Sequence, residues 1–372
     1  TYNRPALFAE ALAAIRAQSR PVDGIVVVDN ASDEPVSVEQ PTPVTDAVAG
    51  PGAPVPDAAV GPDAPAIAPA IAPALSPRPA GPVRLIRLER NTGGAGGFAV
   101  GIAVAVETER ADLVWIMDDD TVPTDTALEE LLAVQRRAPA SARLFGSRAL
   151  WTDGRPHPMN EPRRRPFASR STIEAAAAHG AVPVRSLSFV SLLVDARAVR
   201  ELGLPVADYF LWNDDFEYTA RILRRHTGYF VPASLVVHKT AVFGSTDADP
   251  GPRFRNEVRN KLWMFGRSRA LDPLEWAAYA GSSALRWGRT VLRSSDRALL
   301  GAGFRAGLAE ARHAPRPNVE ALADAPDEAL AAVRTIERAA SGAAPVAGDV
   351  NPGAPGGAGP GAAGGAGPRS AG

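Results

Sequence analysis

Three consecutive aspartates, Asp118, Asp119 and Asp120, follow the apolar run Leu113 to Met117. In extended backbone alternate side chains share a face, so Asp118 and Asp120 project together while Asp119 points away. Two carboxylates about 4 Å apart repel by roughly 4 kcal/mol at an effective dielectric near 20, so a cation or a proton must intervene. Oxygen ligands suit Mg²⁺ or Mn²⁺, which keep coordination positions for substrate phosphates. The competing reading is a helix cap and turn, because acidic loops often precede helices.

A second group is Asn91-Thr92-Gly93-Gly94-Ala95-Gly96-Gly97, between a strand pattern and a helix pattern. Glycines allow close backbone approach, and free amides at a helix start attract anions, so phosphate is the expected guest. Gly94 to Ala99 also fits the G-x-G-x-x-A dinucleotide pattern, with Asp118 about twenty residues on. A nicotinamide-dependent oxidoreductase is therefore a rival, but it leaves Asp119, Asp120 and the later acids without work. A tight glycine turn serving helix packing is the bland alternative.

The third group is Trp212-Asn213-Asp214-Asp215-Phe216-Glu217-Tyr218. Asp214 and Glu217 have capping-box spacing, which leaves Asp215 unexplained. A carboxylate placed there next to an acceptor hydroxyl can take up its proton. His238 ends the following strand, where an imidazole facing an acidic site is either structural or a nitrogen ligand.

Positioning these groups requires alternating elements. Phe8, Leu12 and Ile15 predict a helix from Pro5 to about Gln18, and Ile25 to Val28 a buried strand. Val83 to Leu88, Gly96 to Glu107 and Leu113 to Met117 read as strand, helix, strand. Thr124 or Asp125 would cap a helix through Leu131 and Leu132, and Leu144 to Gly146 predicts another strand. Val184 to Val194 reads as one longer β segment, Asp214 to Arg225 as a helix and Tyr229 to Val237 as a strand. The expected fold is α/β and Rossmann-like, a mostly parallel sheet with helices on both faces, plus a C-terminal helical region. Ligands of such sheets sit at strand carboxyl ends.

Gly and Pro, 34 and 35 of the 372 residues, cluster in two stretches. Residues 41–82 form a Pro/Ala insertion and 346–372 a Gly/Ala/Pro tail, both too poor in large apolar residues to offset the entropy of ordering, hence expected to be disordered. The boundaries become 1–250 for a catalytic domain and 251–345 for a basic, aromatic helical region. Between Arg253 and Arg305 eleven Lys/Arg face four Asp/Glu, interleaved with Trp263, Phe265, Trp276, Tyr279, Trp287 and Phe304. This is either an anionic membrane contact or helices packed on the core. A net charge of -1 argues against nucleic acid as a partner, and the absence of cysteine excludes a disulfide framework, a thiolate nucleophile and Cys-ligated metal. No apolar run is long enough for a spanning helix. A reducing, cytoplasmic location fits, with peripheral attachment to the cytoplasmic face of the plasma membrane as the extension of the basic-region reading. The numbered chain opens at Thr1 without an initiator Met, so a leading strand is expected ahead of it.

Taken together, Thr1-Tyr2-Asn3-Arg4, Val28 to Ser32, Asn91 to Phe98, Met117 to Pro123, Trp212 to Tyr218 and Val258-Arg259-Asn260-Lys261 resemble, in order, the inverting GT-A glycosyltransferases of family 2, most closely the actinobacterial galactofuranosyltransferases. The resemblance covers Thr1 to about Arg267, minus the insertion. It implies Thr1 and Asp29 at the uracil or ribose of a nucleotide-sugar donor, with Asn91, Gly93, Gly94, Asp119 and Trp212 completing that site. Asp118, Asp120 and His238 would hold Mn²⁺ or Mg²⁺, and Asp215, beside Asp214, would be the catalytic base. It further implies UDP-galactofuranose as donor and a rhamnosyl-GlcNAc-diphospho-polyprenol as acceptor. A rhamnosyltransferase using a dTDP-sugar shares much of the pattern and stays open as the alternative.

Overall fold

The computed structural model describes residues 1–38, 80–244 and 249–342. The tail and all but the last three residues of the 41–82 insertion lie outside the described residues.

The first half alternates as expected: α1 (Pro5–Arg16), β1 (Ile25–Asp29), β2 (Val83–Arg87), α2 (Gly93–Glu107), β3 (Leu113–Met117), β4 (Thr121–Pro123), α3 (Ala127–Arg137) and β5 (Ala142–Leu150). Then come β6 (Arg163–Arg164), α4 (Arg170–Ala177), β7 (Val182–Ser186), β8 (Ser191–Asp195), α5 (Ala196–Leu202), α6 (Asp214–Leu223) and β9 (Thr227–His238). The C-terminal part is helical: α7 (Phe254–Arg267), α8 (Pro273–Arg293), α9 (Arg297–Glu310), α10 (Asn318–Ala321) and α11 (Asp327–Gly342).

β1 and β2 pair in parallel as a two-stranded sheet. The larger, seven-stranded sheet runs β3-β8-β5-β9-β7-β6, with β4 also on β9. It is mixed rather than mostly parallel, because only β5 and β9 run parallel within it. The cause lies in the segment expected to be one β run: it breaks after Ser186, and β8 returns antiparallel between β3 and β5. Helices cover both faces. Leu144 and Leu192 join a core with α2, α5 and α11, whereas their neighbours Phe145 and Leu193 face a core with α3. α2 is apolar all round, with Ala99, Val100, Ile102 and Ala103 at 0 % exposure, because the sheet and Val333 and Ile336 of α11 enclose it.

Two cap expectations change. Thr126 is the N-cap of α3; Thr124 instead donates its hydroxyl to the Leu235 carbonyl at 3.0 Å, and the Asp125 carbonyl accepts from Ser19 N at 2.8 Å. α6 has no capping box either, since Asn213 is its N-cap in the left-handed region and Glu217 pairs with Arg221 at 2.9 Å. Among the described residues no helix is long and apolar enough to cross a membrane.

Candidate active site

β3 stops at Met117, and a turn closes at once as Thr121 N donates to the Asp118 carbonyl at 3.2 Å. β4 then lies antiparallel on the end of β9 with Thr121 opposite His238, and this register carries the imidazole to the acidic triplet. One carboxylate oxygen each from Asp118 and Asp120 and a ring nitrogen of His238 fall within 4.8 Å of one another. Asp119 turns away, accepting from Tyr2 N at 3.2 Å, as the alternation of side chains requires.

The orientation of the His238 ring follows from its neighbours. Its Nδ1 sits 2.9 Å from Asn160 Oδ1, while the Asn160 amide donates to Ser188 Oγ at 3.1 Å. An amide oxygen only accepts, so Nδ1 donates to Asn160 and the ring presents its Nε2 to Asp120 Oδ1, 3.2 Å away. Asp120 Oδ1 is buried and accepts no hydrogen bond. A carboxylate oxygen and an imidazole nitrogen this close call for positive charge between them, a proton or a cation. Two carboxylate oxygens and an imidazole nitrogen oriented from behind fit a Mn²⁺- or Mg²⁺-type ion.

Partial neutralisation is already built in, from a residue the sequence reading left without a role. Arg4 donates to Asp120 Oδ2 at 2.7 Å and lies 3.4 Å from Asp119 Oδ1. Burial opposes the Asp120 carboxylate, but His238 and Arg4 outweigh it and hold its pKa below the ordinary value. For Asp118 burial, reinforced by Asp120, outweighs the pull of His238 and pushes it up to about 7.

The Asp214-Asp215 pair stands within electrostatic reach of the triplet, since each member adds to the field of Asp118 or feels it. Burial raises Asp215 while the Phe216 amide, at 2.6 Å from Oδ1, the Ser188 hydroxyl and Arg163 restrain it. Asp214 is pushed well up by burial and by Asp215. A raised carboxylate is the stronger proton acceptor. The loop entering α6 is strained, with Phe210, Trp212 and Asn213 all at positive φ. Asn260 of α7 holds it, its amide donating to the Tyr209, Leu211 and Trp212 carbonyls at 2.9, 3.0 and 2.8 Å. This gives the Val258 to Lys261 motif a physical task that its sequence did not disclose.

The glycine run packs against that loop. Gly93 has φ +71°, and a Cβ there would stand 2.0 Å from the Phe210 carbonyl, so only glycine fits. Its amide donates to Asn91 Oδ1 at 2.8 Å and the Ala95 amide to the Phe210 carbonyl at 3.2 Å. These two amides, expected free for an anion, are thus spent inside the protein, whereas Gly94 is exposed. Asn30 ties the run to β1, donating to the Gly93 carbonyl at 2.8 Å and accepting from Thr92 N at 2.8 Å. Asp29 is 0 % exposed, its oxygens accepting from Ser32 N at 2.9 Å and Arg87 at 2.7 Å; it organises the strand end instead of standing open to a ligand. Thr1 N donates to the Val28 carbonyl at 2.8 Å, which leaves the buried Thr1 hydroxyl without a partner among the described residues. Trp212 is half-buried beneath the Arg253 guanidinium, 6.0 Å from its ring centroid.

An acidic metal-type cluster facing a buried carboxylate pair in an α/β fold defines a group-transfer enzyme acting on a phosphorylated donor. The chain belongs to the glycosyltransferase like family 2, whose model matches residues 69–261, and is a glycosyltransferase. The dinucleotide reading falls with this family, and Asp118 lies grouped with Asp120 and His238 rather than alone. Galactofuranosyltransferase GlfT1 of Mycobacterium tuberculosis is 26 % identical over 298 residues, covering 75 % of this chain and 85 % of that protein. The Mycolicibacterium smegmatis protein of the same name is 27 % identical over 233 residues, 60 % of this chain and 63 % of its own. Among solved structures, S. aureus TarS 1-349 in complex with UDP aligns at 14 % identity and TM-score 0.46 over 91 % of this chain and 88 % of that one.

Proposed function

We propose that the protein transfers galactofuranose from UDP-galactofuranose to a polyprenyl-diphosphate-linked glycan in cell-wall galactan synthesis, in a single inverting displacement. The similarity to two mycobacterial galactofuranosyltransferases supports the choice of sugar. The observation that carries the chemistry is the cluster of Asp118, Asp120 and His238 within electrostatic reach of Asp215.

Asp215 accepts the proton of the acceptor hydroxyl as its oxygen bonds to the anomeric carbon and the bond from that carbon to the UDP oxygen breaks. No covalent enzyme intermediate is required. Asp118, Asp120 and His238 would hold a divalent cation, Mn²⁺ or Mg²⁺, which when bound neutralises charge on the departing diphosphate. Asp214, deeply buried next to Asp215 and pushed well up by it, keeps the proton of the pair and leaves Asp215 ionised as the base. The unpartnered Thr1 hydroxyl, Asp119, Trp212, Asn91 and the exposed Gly94 line the donor side, with Asp29 and Gly93 fixing the backbone there.

The domain reading assigns residues 1–250 to catalysis and 251–345 to acceptor handling at the cytoplasmic face of the plasma membrane. The sequence argument for that face changes its ground: Trp263 is buried and Tyr279, Trp287 and Phe304 pack against other rings. What stays most exposed on α8 is aliphatic, Leu274, Leu285 and Leu292 at 69, 68 and 66 %, with Trp276 also exposed, beside Arg289 and Arg293. An apolar stripe with flanking arginines suits an anionic bilayer surface.

Incubation with UDP-galactofuranose or dTDP-rhamnose and a synthetic diphospho-polyprenol glycan tests the function. Galactofuranose transfer by the wild type and none by Asp215→Asn is expected; rhamnose transfer, or an active Asp215→Asn, overturns the reading.

A further inference from the structure

Beside the Ala207 to Phe210 stretch lies a cavity of about 400 Å³ with a strongly basic wall, which none of Asp118, Asp120 and His238 lines. Arg90, Arg253, Arg255, Arg259 and Arg316 line it, from the glycine-run approach, α7 with the turn before it, and the segment before α10. Ion pairs consume only part of this charge. Asp208 is saturated by Arg316, accepting at 2.9, 2.9 and 2.6 Å. Glu310 serves both Arg255 and Arg259, at 2.6 and 3.4 Å, and Asp324 serves Arg90. Five guanidinium groups thus meet three ion-paired carboxylates, with Glu320 also in the field of Arg316, and Arg253 has no acidic partner among the described residues.

Two further features narrow the guest. The Asn256 amide also lines the wall without a hydrogen bond among the described residues, so a neutral donor is left for an oxygen ligand. Phe210, 39 % exposed, and Pro252 give the mouth an apolar edge. Burial pushes the Arg259 guanidinium below its ordinary value against the pull of Glu310 and Asp208, the condition an added anion would relieve. A surplus of positive charge, presented by planar forks that bind phosphate oxygens in pairs, matches a diphosphate, and the apolar edge matches an ester of a hydrocarbon chain.

We propose that this pocket binds the diphosphate ester of the glycosyl acceptor; the assignment rests on the lipid-linked acceptor reading above. The two anion sites share no charged group, one being cation-dependent and one built of arginines, so donor and acceptor diphosphates do not compete. Cation independence is the distinguishing property.

Calorimetric titration of geranyl diphosphate into the full chain in EDTA tests it, with inorganic pyrophosphate and UDP titrated in parallel. Geranyl diphosphate is expected to bind without metal, about tenfold more weakly in Arg253→Ala and in Arg255→Ala, with Arg253→Lys recovering part of the loss. UDP with Mn²⁺ should leave that binding unchanged. No binding, equal binding by wild type and both alanine variants, or displacement by UDP with Mn²⁺ overturns the proposal. Pyrophosphate binding as tight as geranyl diphosphate reassigns the pocket to a free anion and overturns it too. Mn²⁺-dependent UDP binding by the wild type separates the two failures: if it persists while geranyl diphosphate does not bind, the pocket assignment alone falls, and if it is absent the glycosyl-transfer reading falls.

Discussion

Asn160 Oδ1 lies 2.9 Å from His238 Nδ1 and so decides which nitrogen of the imidazole faces Asp120. The same amide reaches Ser188, whose hydroxyl restrains Asp215, so one side chain connects the Asp118, Asp120 and His238 cluster to Asp215. Nothing in the sequence around Asn160 marks it, because the contact spans 78 positions.

Asn160→Ala should free the His238 ring to rotate or change tautomer. Removal of such an outer partner typically costs 10- to 100-fold in metal affinity, about 1.4 to 2.7 kcal/mol. Mn²⁺ titration monitored by UDP binding measures this directly; unchanged affinity would show that His238 needs no orientation.

Gly93→Ala places a Cβ against the Phe210 carbonyl at a positive φ, two penalties that cannot be relieved by moving a side chain. A loss of roughly 2 kcal/mol or more in unfolding free energy is expected. Denaturant titration of variant and wild type checks it, and a loss below the error of that measurement would mean that the loop yields freely.

Lys261 supplies a pH dependence with a defined sign. Burial, and to a lesser degree Arg286, lower its pKa from 10.5 to about 8 although Glu257 pulls the other way. Between those values the unfolded chain binds more protons than the native one, so the penalty of holding the buried ammonium fades as pH rises. Wild-type stability relative to Lys261→Met should therefore increase from pH 8 to 10.5. Chemical denaturation at several pH values reads the difference, and a flat or falling profile contradicts the burial argument.

Leu285 and Leu292 test the α8 face. Leu285→Glu with Leu292→Glu should leave folding intact, since both side chains are exposed, and weaken binding to vesicles rich in anionic lipid. Co-sedimentation with anionic and zwitterionic vesicles measures this; equal binding by variant and wild type would remove α8 from membrane contact.

Much of the site was legible because its signals are local. The run Leu113 to Met117 followed by three aspartates specifies strand, turn and paired carboxylates within eight residues, and β3 ends where that pattern says it should. His238 was legible as the end of an apolar strand. The misreadings share a cause: Val184 to Val194 is continuously β-prone, and only the packing of β8 between β3 and β5 reveals the break. Arg4, Asn30, Asn160 and Asn260 act across the fold, and a polar side chain's distant partner leaves no local trace. The glycine run was read for its chemistry, whereas the Phe210 carbonyl that demands Gly93 comes from more than a hundred residues away.

Calorimetric titration of UDP into the wild type and Asp120→Asn, each with Mn²⁺ and with EDTA, tests the central claim most directly. Wild-type binding that requires Mn²⁺, together with its loss in Asp120→Asn, is the result this account predicts. Equal UDP affinity with and without the cation, or an Asp120→Asn protein that binds as the wild type does, would contradict it.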